Sequence, residues 1–427
     1  MNKKNVLIIG SGGREHSIGW KMAQSPFVNQ IYFIPGNAGT ATFGRNVELF
    51  PNNFKEISEF VRVNKIDLTV VGPEEPLVNG IVDYFEKEGL LIFGPDKYCA
   101  QLEGSKVFSK SFMNKYRIPT AAHEVFTKDQ EMELIEYLEL SSFPVVLKAD
   151  GLAAGKGVII PTKLPEALAA VKIYFDDNAF GDAGSVLVVE EFMDGEEASL
   201  FVLTDGINYR LFPVAQDHKR IGDGDTGKNT GGMGAYAPAP IVTPDLLEII
   251  EKDIVIPSLE GMRKEGHPYS GILYIGLMIT TKGPKVVEYN VRFGDPECQV
   301  EMALLETDLF TLCEEVAKKN LTNELKLKNG FAASVVVASK GYPDTYEKGK
   351  VISFAQPDSD NKFIFHAGTK FVNGNITSNG GRVLNIVGVG ETLQDSLNST
   401  YEHLKSVSFD GMVYRTDIGK KGLLHNN

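Results

Sequence analysis

The sequence predicts a multidomain chain of α/β and α+β units. Its 427 residues exceed one ordinary domain. The first hundred alternate short apolar runs with amphipathic helical patterns. Beyond about residue 184 strand patterns dominate, and from about Phe331 a further unit of short strands follows.

The N-terminal runs NVLIIG, QIYFIPG, DLTVVGP and LLIFGP read as buried strands. FKEISEFVRVNK and PLVNGIVDYFEKEG read as helices between them. That repetition predicts a parallel, doubly wound sheet, whose ligands sit beyond the carboxyl ends of the strands. The turns there are GSGGREH, PGNAGT and GPEEPL. A helix, SKVFSKSFMNKYRI, leads into FPVVLKADGLAAGKGVIIP, two strands around a glycine-rich loop. PEALAAVKIYF is a helix, and SVLVVEEF, EASLFVLTDG, YRLFPVAQ, GILYIGLMIT and KVVEYNVRF are strands. Alternation in the last of these sends Glu288, Asn290 and Arg292 to one face. After Gly294, Asp295 and Pro296 read as the N-cap and first residue of a helix. Leu309, Leu312, Cys313 and Val316 continue it.

With 43% hydrophobic and 23% charged residues the composition is that of a soluble globular protein. No apolar run reaches membrane-spanning length, and the short run in MNKKNVLIIGSGG reads as a first strand rather than a signal peptide. A net charge of −13 argues against nucleic acid as a partner. Cys99, Cys298 and Cys313 form no metal-site spacing and suit a reducing compartment, so a cytoplasmic location is expected.

The glycine loops need weighing. GSGGREH has Gly10 and Gly12, but Glu15 stands where a dinucleotide fold needs a third glycine, and IPGN lacks the ribose-binding acid. A tight strand-to-helix turn remains open. So does a phosphate or polar ligand held on backbone N–H groups, with Arg14 adding charge. GLAAGKG is one residue short of a P-loop and ends in Gly157. GDGDTGKN ends in Asn229 and carries Asp223 and Asp225 where phosphate would sit. The first loop still combines Lys156 with Lys148, a lysine on an apolar strand where an unpaired ammonium is costly.

The order of these pieces resembles the ATP-grasp superfamily: Lys106 on a helix, Lys148 before a glycine loop, the acidic hinge VVEEFMDGEEAS, then Glu-x-Asn on a strand. More closely, GSGGREH, GPEEPL, KADGLAAGKGV, QDHKR, NTGGMGAY, RFGDPE and YRTDIG resemble the phosphoribosylamine–glycine ligases over nearly the whole chain. The resemblance implies four units: an N-terminal α/β substrate-binding domain (1–103), two ATP-grasp subdomains (104–193 and 194–325) and a C-terminal α+β domain (326–427). It implies that ATP, glycine and 5-phosphoribosylamine give glycinamide ribonucleotide, ADP and phosphate through a glycyl phosphate, in purine synthesis. A monomer or weak homodimer is expected, and no fused second enzyme after YRTDIG.

By the same resemblance, Lys106, Lys148 and the loop with Gly155, Lys156 and Gly157 would hold and cover the triphosphate. Glu190, Phe192 and Met193 would meet adenine, and Glu197 the ribose. Glu288 and Asn290 would hold Mg²⁺ (or Mn²⁺), a hard ion that suits carboxylate and amide oxygens, with a third acid expected one strand away. Arg292 suits the glycine carboxylate and Asp217 its ammonium, with Lys219 and Arg220 beside it. Gly12, Gly13, Arg14, Asn37, Glu74 and Glu75 would take the phosphosugar, although Glu74 and Glu75 also fit a plain charged turn. Gly294 and Asp295 border the substrate, Asp295 equally well as a helix cap. Glu297 can be a helix-dipole partner only, and His366 and Arg382 either line the cleft or serve structure. Three rivals stand beside this reading. They are an ATP-grasp ligase with another acid or amine, a nucleotide sensor, which would lose Glu288 and Asn290, and an oxidoreductase, disfavoured by Glu15.

Overall fold

The computed structural model describes residues 3–152, 157–175 and 184–425. Gly155 and Lys156 lie outside the described residues. The apolar run Lys4–Gly10 forms the middle of a five-stranded parallel sheet. Val28–Pro35 and Arg45–Asn46 lie on one side, Leu68–Val71 and Ile92–Phe93 on the other. The strand order reverses at Lys4–Gly10, so the ends of Lys4–Gly10 and Leu68–Val71 open a crevice. The predicted helix over PLVNGIVDYFEKEG is two, Glu74–Val78 and Ile81–Lys87, because Gly80 between them adopts a left-handed φ of 88°.

The central region has two leaves. In the first, His123–Thr127, Val186–Glu191, Val145–Ala149 and Val158–Ile159 form an antiparallel sheet. It packs on helices Glu131–Leu140 and Leu164–Phe175 through Leu134, Leu138, Val171 and Tyr174. Helix Lys106–Lys115, capped by Ser105, leads in. In the second leaf, Tyr209–Leu211, Glu196–Thr204, Gly271–Thr280 and Gly283–Asn290 are antiparallel in that order.

Three expectations around residues 287–316 need correction. The strand stops at Asn290, because the Val291 N–H turns to the Glu103 carboxylate (2.7 Å) instead of a neighbouring strand. Asp295 does not cap the next helix, which runs Glu297–Leu304 with Pro296 before it. Leu309–Ala317 is a separate helix, capped by the Asp308 side chain.

Strands Gln216–Asp217 and Gly234–Ala237, which lie in sequence between Tyr209–Leu211 and Gly271–Thr280 of the second leaf, join the C-terminal sheet. Phe331–Ser339, Arg382–Gly390 and Lys362–His366 complete its path. Asp217 is thereby fixed by a sheet that belongs mostly to the last hundred residues.

Candidate active site

A cavity of about 810 Å³ lies where the N-terminal turns, both leaves and the C-terminal unit meet. Lys106, at the first position of its helix, donates to the Gly151 carbonyl (3.1 Å) at the entry to the glycine loop. Lys148, buried on its strand, is 2.9 Å from the Glu190 carboxylate, and Lys110 is 3.2 Å from the same oxygen. Burial drives the Lys110 ammonium down to about 8, against the pull of Glu190. Lys110 lies one helical turn after Lys106, so its place on the same face was legible in that spacing. Gly157, the half-exposed Phe192 and the buried Met193 border the cavity beside them.

Glu288 and Asn290 project from the second leaf into the same space. Burial opposes the Glu288 charge, but Lys219, Lys148 and Lys106 outweigh it and hold the carboxyl below its ordinary range. The acid expected one strand away is absent: Gly276 and Tyr274 stand opposite these residues, and the described residues hold no cluster of three acidic, His or Cys ligands. Two oxygen donors still fit Mg²⁺, which keeps several waters and binds through one or two carboxylates plus substrate phosphates.

Arg292 is held by two acids. Its Nη2 is 2.7 Å from Glu103, its Nε 3.4 Å from Glu74, and Nη2 also donates to Asn290 Oδ1 at 3.3 Å. Burial pushes Glu103 up to about 7 despite Arg292. Glu74 feels burial too, but Arg292 and Arg14 overcome it and keep its carboxyl low. Glu75 beside it is exposed at the cavity rim. Glu103 had no sequence signal, because its partner is 189 positions away.

Asp217, Glu197, Glu297 and Lys219 also line the cavity. Lys219 pairs with Glu197 at 2.5 Å. Burial raises the Asp217 carboxyl, with Lys219 opposing. Glu297, for which a helix-dipole role alone is one reading of the sequence, lines the cavity and accepts from Ser199 (3.3 Å). Burial raises its carboxyl as well.

At the N-terminal turn, Glu15 occupies the crevice. Its carboxylate accepts the Gly12 N–H (2.5 Å) and pairs with Arg14 Nε (2.6 Å). A methyl group on Gly10 or Gly72 would collide with this side chain. A dinucleotide pyrophosphate would therefore meet a carboxylate at the helix start. The Arg14 N–H is likewise taken, by Asp295 (3.2 Å), so neither amide is an open anion site. Asp295 also faces Arg382 (3.4 Å), and Arg382 and Arg14 keep its carboxyl low in spite of burial. Gly12, Arg14, Gly294, Asp295 and Arg382 line the cavity.

Gly13, Asn37, Arg220 and His366 are not among the lining residues. Gly13 packs against Asn385 and Gln299. The Asn37 amide is consumed in bonds to the Ser11 and His366 carbonyls, both 2.8 Å. Arg220 turns to the Gly227 carbonyl (2.8 Å). The His366 N–H donates to His16 Nδ1 (2.7 Å), and its ring meets Thr369 at 3.1 Å, so His366 joins the terminal units instead of facing the cleft.

Two antiparallel leaves enclosing a nucleotide-sized cleft, with lysines from one and Glu-x-Asn from the other, define an ATP-grasp enzyme. Sequence profiles of phosphoribosylglycinamide synthetase match most of the chain: its N domain at residues 4–103, its ATP-grasp (A) domain at 104–298 and its C domain at 332–421. The phosphoribosylamine–glycine ligase of Vibrio vulnificus is 49% identical over 424 residues, covering 98% of each chain. That of Chlorobaculum tepidum is 47% identical, covering 98% of this chain and all of its own. The crystal structure of the Thermotoga maritima phosphoribosylamine–glycine ligase superposes with a TM-score of 0.83 at 37% identity, covering 97% of this chain and 99% of that one. A Campylobacter jejuni biotin carboxylase, at 14% identity and TM-score 0.76 over 99% and 94% of the chains, shares the fold. The chain belongs to the phosphoribosylglycinamide synthetase family, the phosphoribosylamine–glycine ligases of purine biosynthesis.

Proposed function

We infer that this enzyme joins glycine to 5-phosphoribosylamine at the expense of ATP, through a glycyl phosphate. What carries the reading is the cavity itself. It combines phosphate-directed lysines, a Glu-x-Asn pair and an arginine fork beside the N-terminal turns, within a full-length family match.

Lys106 and Lys148 would hold the triphosphate as charge-assisted donors. Adenine would lie near Phe192 and Met193. Glu197 has an ion-pair partner in Lys219, so its proposed ribose contact competes with that pair. Glu288 and Asn290 would hold Mg²⁺, which when bound neutralises charge on the phosphates.

Arg292 would orient the glycine carboxylate toward the terminal phosphoryl group, and Asp217 with Lys219 would place the amino-acid end. Attack of a carboxylate oxygen on that group forms glycyl phosphate and releases ADP. The ribosylamine nitrogen then attacks the acyl carbon, loses a proton, and phosphate departs with its electron pair. Glu74 and Glu75 would hold the ribose hydroxyls. Unactivated, the glycine carboxylate would have to lose oxide, which is prohibitive at neutral pH.

The test is isotopic. Glycine labelled with ¹⁸O in its carboxylate should pass one labelled oxygen to inorganic phosphate in each turnover. Unlabelled phosphate with normal product formation overturns the acyl-phosphate route and the role given to Arg292.

A further inference from the structure

The YRTDIG run (414–419) lies outside the cavity lining, yet it carries Arg415, which is 2% exposed. A guanidinium is not buried for packing, and buried ion pairs add little net stability against apolar replacements. What this one holds is therefore informative.

Arg415 forks onto Asp417, Nε to Oδ1 at 2.7 Å and Nη2 to Oδ2 at 2.8 Å. Its Nη1 reaches the Arg220 carbonyl (3.1 Å) and Asp225 (2.8 Å). Asp417 accepts the Gly224 N–H at 2.8 Å, and Asp223 accepts the Thr416 N–H at 2.9 Å. Lys421 pairs with Asp225 at 2.5 Å. The Gly419 N–H donates to His218 Nε2 (3.4 Å), the residue between Asp217 and Lys219. The run is itself anchored on helix Leu393–Leu404, where the Tyr401 hydroxyl donates to the Arg415 carbonyl and accepts the Ile418 N–H.

Everything gripped belongs to one excursion of the chain. It leaves the cavity after Asp217 and Lys219, turns in the hairpin of Arg220–Gly222 with Thr226–Asn229, and returns to the cavity at Asn229, Thr230 and Gly231. The Thr230 N–H closes its neck on the Lys219 carbonyl at 2.7 Å.

We propose that Arg415 and Asp417 are positioning residues that clasp this hairpin from behind and so fix Asp217 and Lys219 in the glycine site. The glycine part rests on the role given above to Asp217 and Lys219. The clasp itself rests on the bonds to the hairpin.

The test compares Asp417→Asn, Asp417→Glu and Asp217→Asn in the full chain. Steady-state constants are measured for each substrate, together with amide hydrogen exchange of residues 216–231. In Asp417→Asn the glycine KM should rise between about 10- and 100-fold, the range that a misplaced contact costs, with the ATP KM within about twofold. Exchange at 216–231 should quicken while strand Arg382–Gly390 stays protected. Asp417→Glu should restore part of both losses. If Asp417→Asn folds poorly, Lys421→Met, which removes one peripheral contact, should move both readouts in the same direction by less.

Unchanged exchange at 216–231 overturns the clasp. Faster exchange with an unchanged glycine KM overturns its positioning role, provided that Asp217→Asn raises that KM. If Asp217→Asn leaves the glycine KM unchanged, the glycine-site reading fails instead, and faster exchange in Asp417→Asn still upholds the clasp.

Discussion

Replacing Arg292 by lysine keeps the charge and removes the fork. The arginine uses three nitrogens: Nε on Glu74 (3.4 Å), Nη2 on Glu103 (2.7 Å) and Asn290 (3.3 Å), and Nη1 on the Phe293 carbonyl (3.3 Å). A single ammonium cannot face both carboxylates in that geometry, so one is left without its partner. A charge-assisted bond contributes roughly 1.5–3 kcal/mol, equivalent to a fall of between about 10- and 150-fold in kcat/KM. Glycine should bear it, because the lysine, drawn to one of the two acids, no longer presents the one Nη1 N–H that the arginine has left for the glycine carboxylate. The ATP KM should change by less than about twofold, since the fork is not assigned to the nucleotide. The assay is initial-rate kinetics with each substrate varied at saturating levels of the others. A glycine kcat/KM equal to wild type refutes the assignment and leaves Arg292 as a tie between Glu74 and Glu103.

Glu288→Gln should preserve the fold and nearly abolish turnover, since it removes the only carboxylate of the Glu-x-Asn pair; wild-type rates at saturating Mg²⁺ would exclude it from the metal site. Lys148→Met should weaken ATP binding by roughly 1.5–3 kcal/mol in calorimetry, and unchanged affinity would remove this lysine from the phosphates. Glu103 gives a pH test. Its folded carboxyl is raised from 4.5 to about 7, so the native state binds the extra proton and stability falls as pH rises through that window. The limiting size is roughly 3 kcal/mol, and guanidinium unfolding at pH 5 and 7.5 should show a flatter dependence in Glu103→Gln than in wild type. Equal slopes would show that Glu103 titrates normally.

The sequence by itself determined what depends on near neighbours. Apolar runs and their periodicity placed the parallel N-terminal sheet and helix Lys106–Lys115. Alternation put Glu288 and Asn290 on one strand face, and Glu15, in place of a third glycine, fills the N-terminal crevice. These signals are legible because backbone geometry repeats over a few residues. The errors began where a distant group competed for the chain. Val291 left the strand because Glu103 offered an acceptor, and Asp295 left its capping role for the Arg14 amide and Arg382. Asn37 and His366 were spent joining the terminal units, a pairing across 329 positions that no local pattern encodes. Arg292 reached the cavity between Glu103 and Glu74, 189 and 218 positions away, once its strand had ended. Which charges meet in a buried cleft is set by how whole units pack, and each pairing there is favoured over water only after that packing has excluded the solvent.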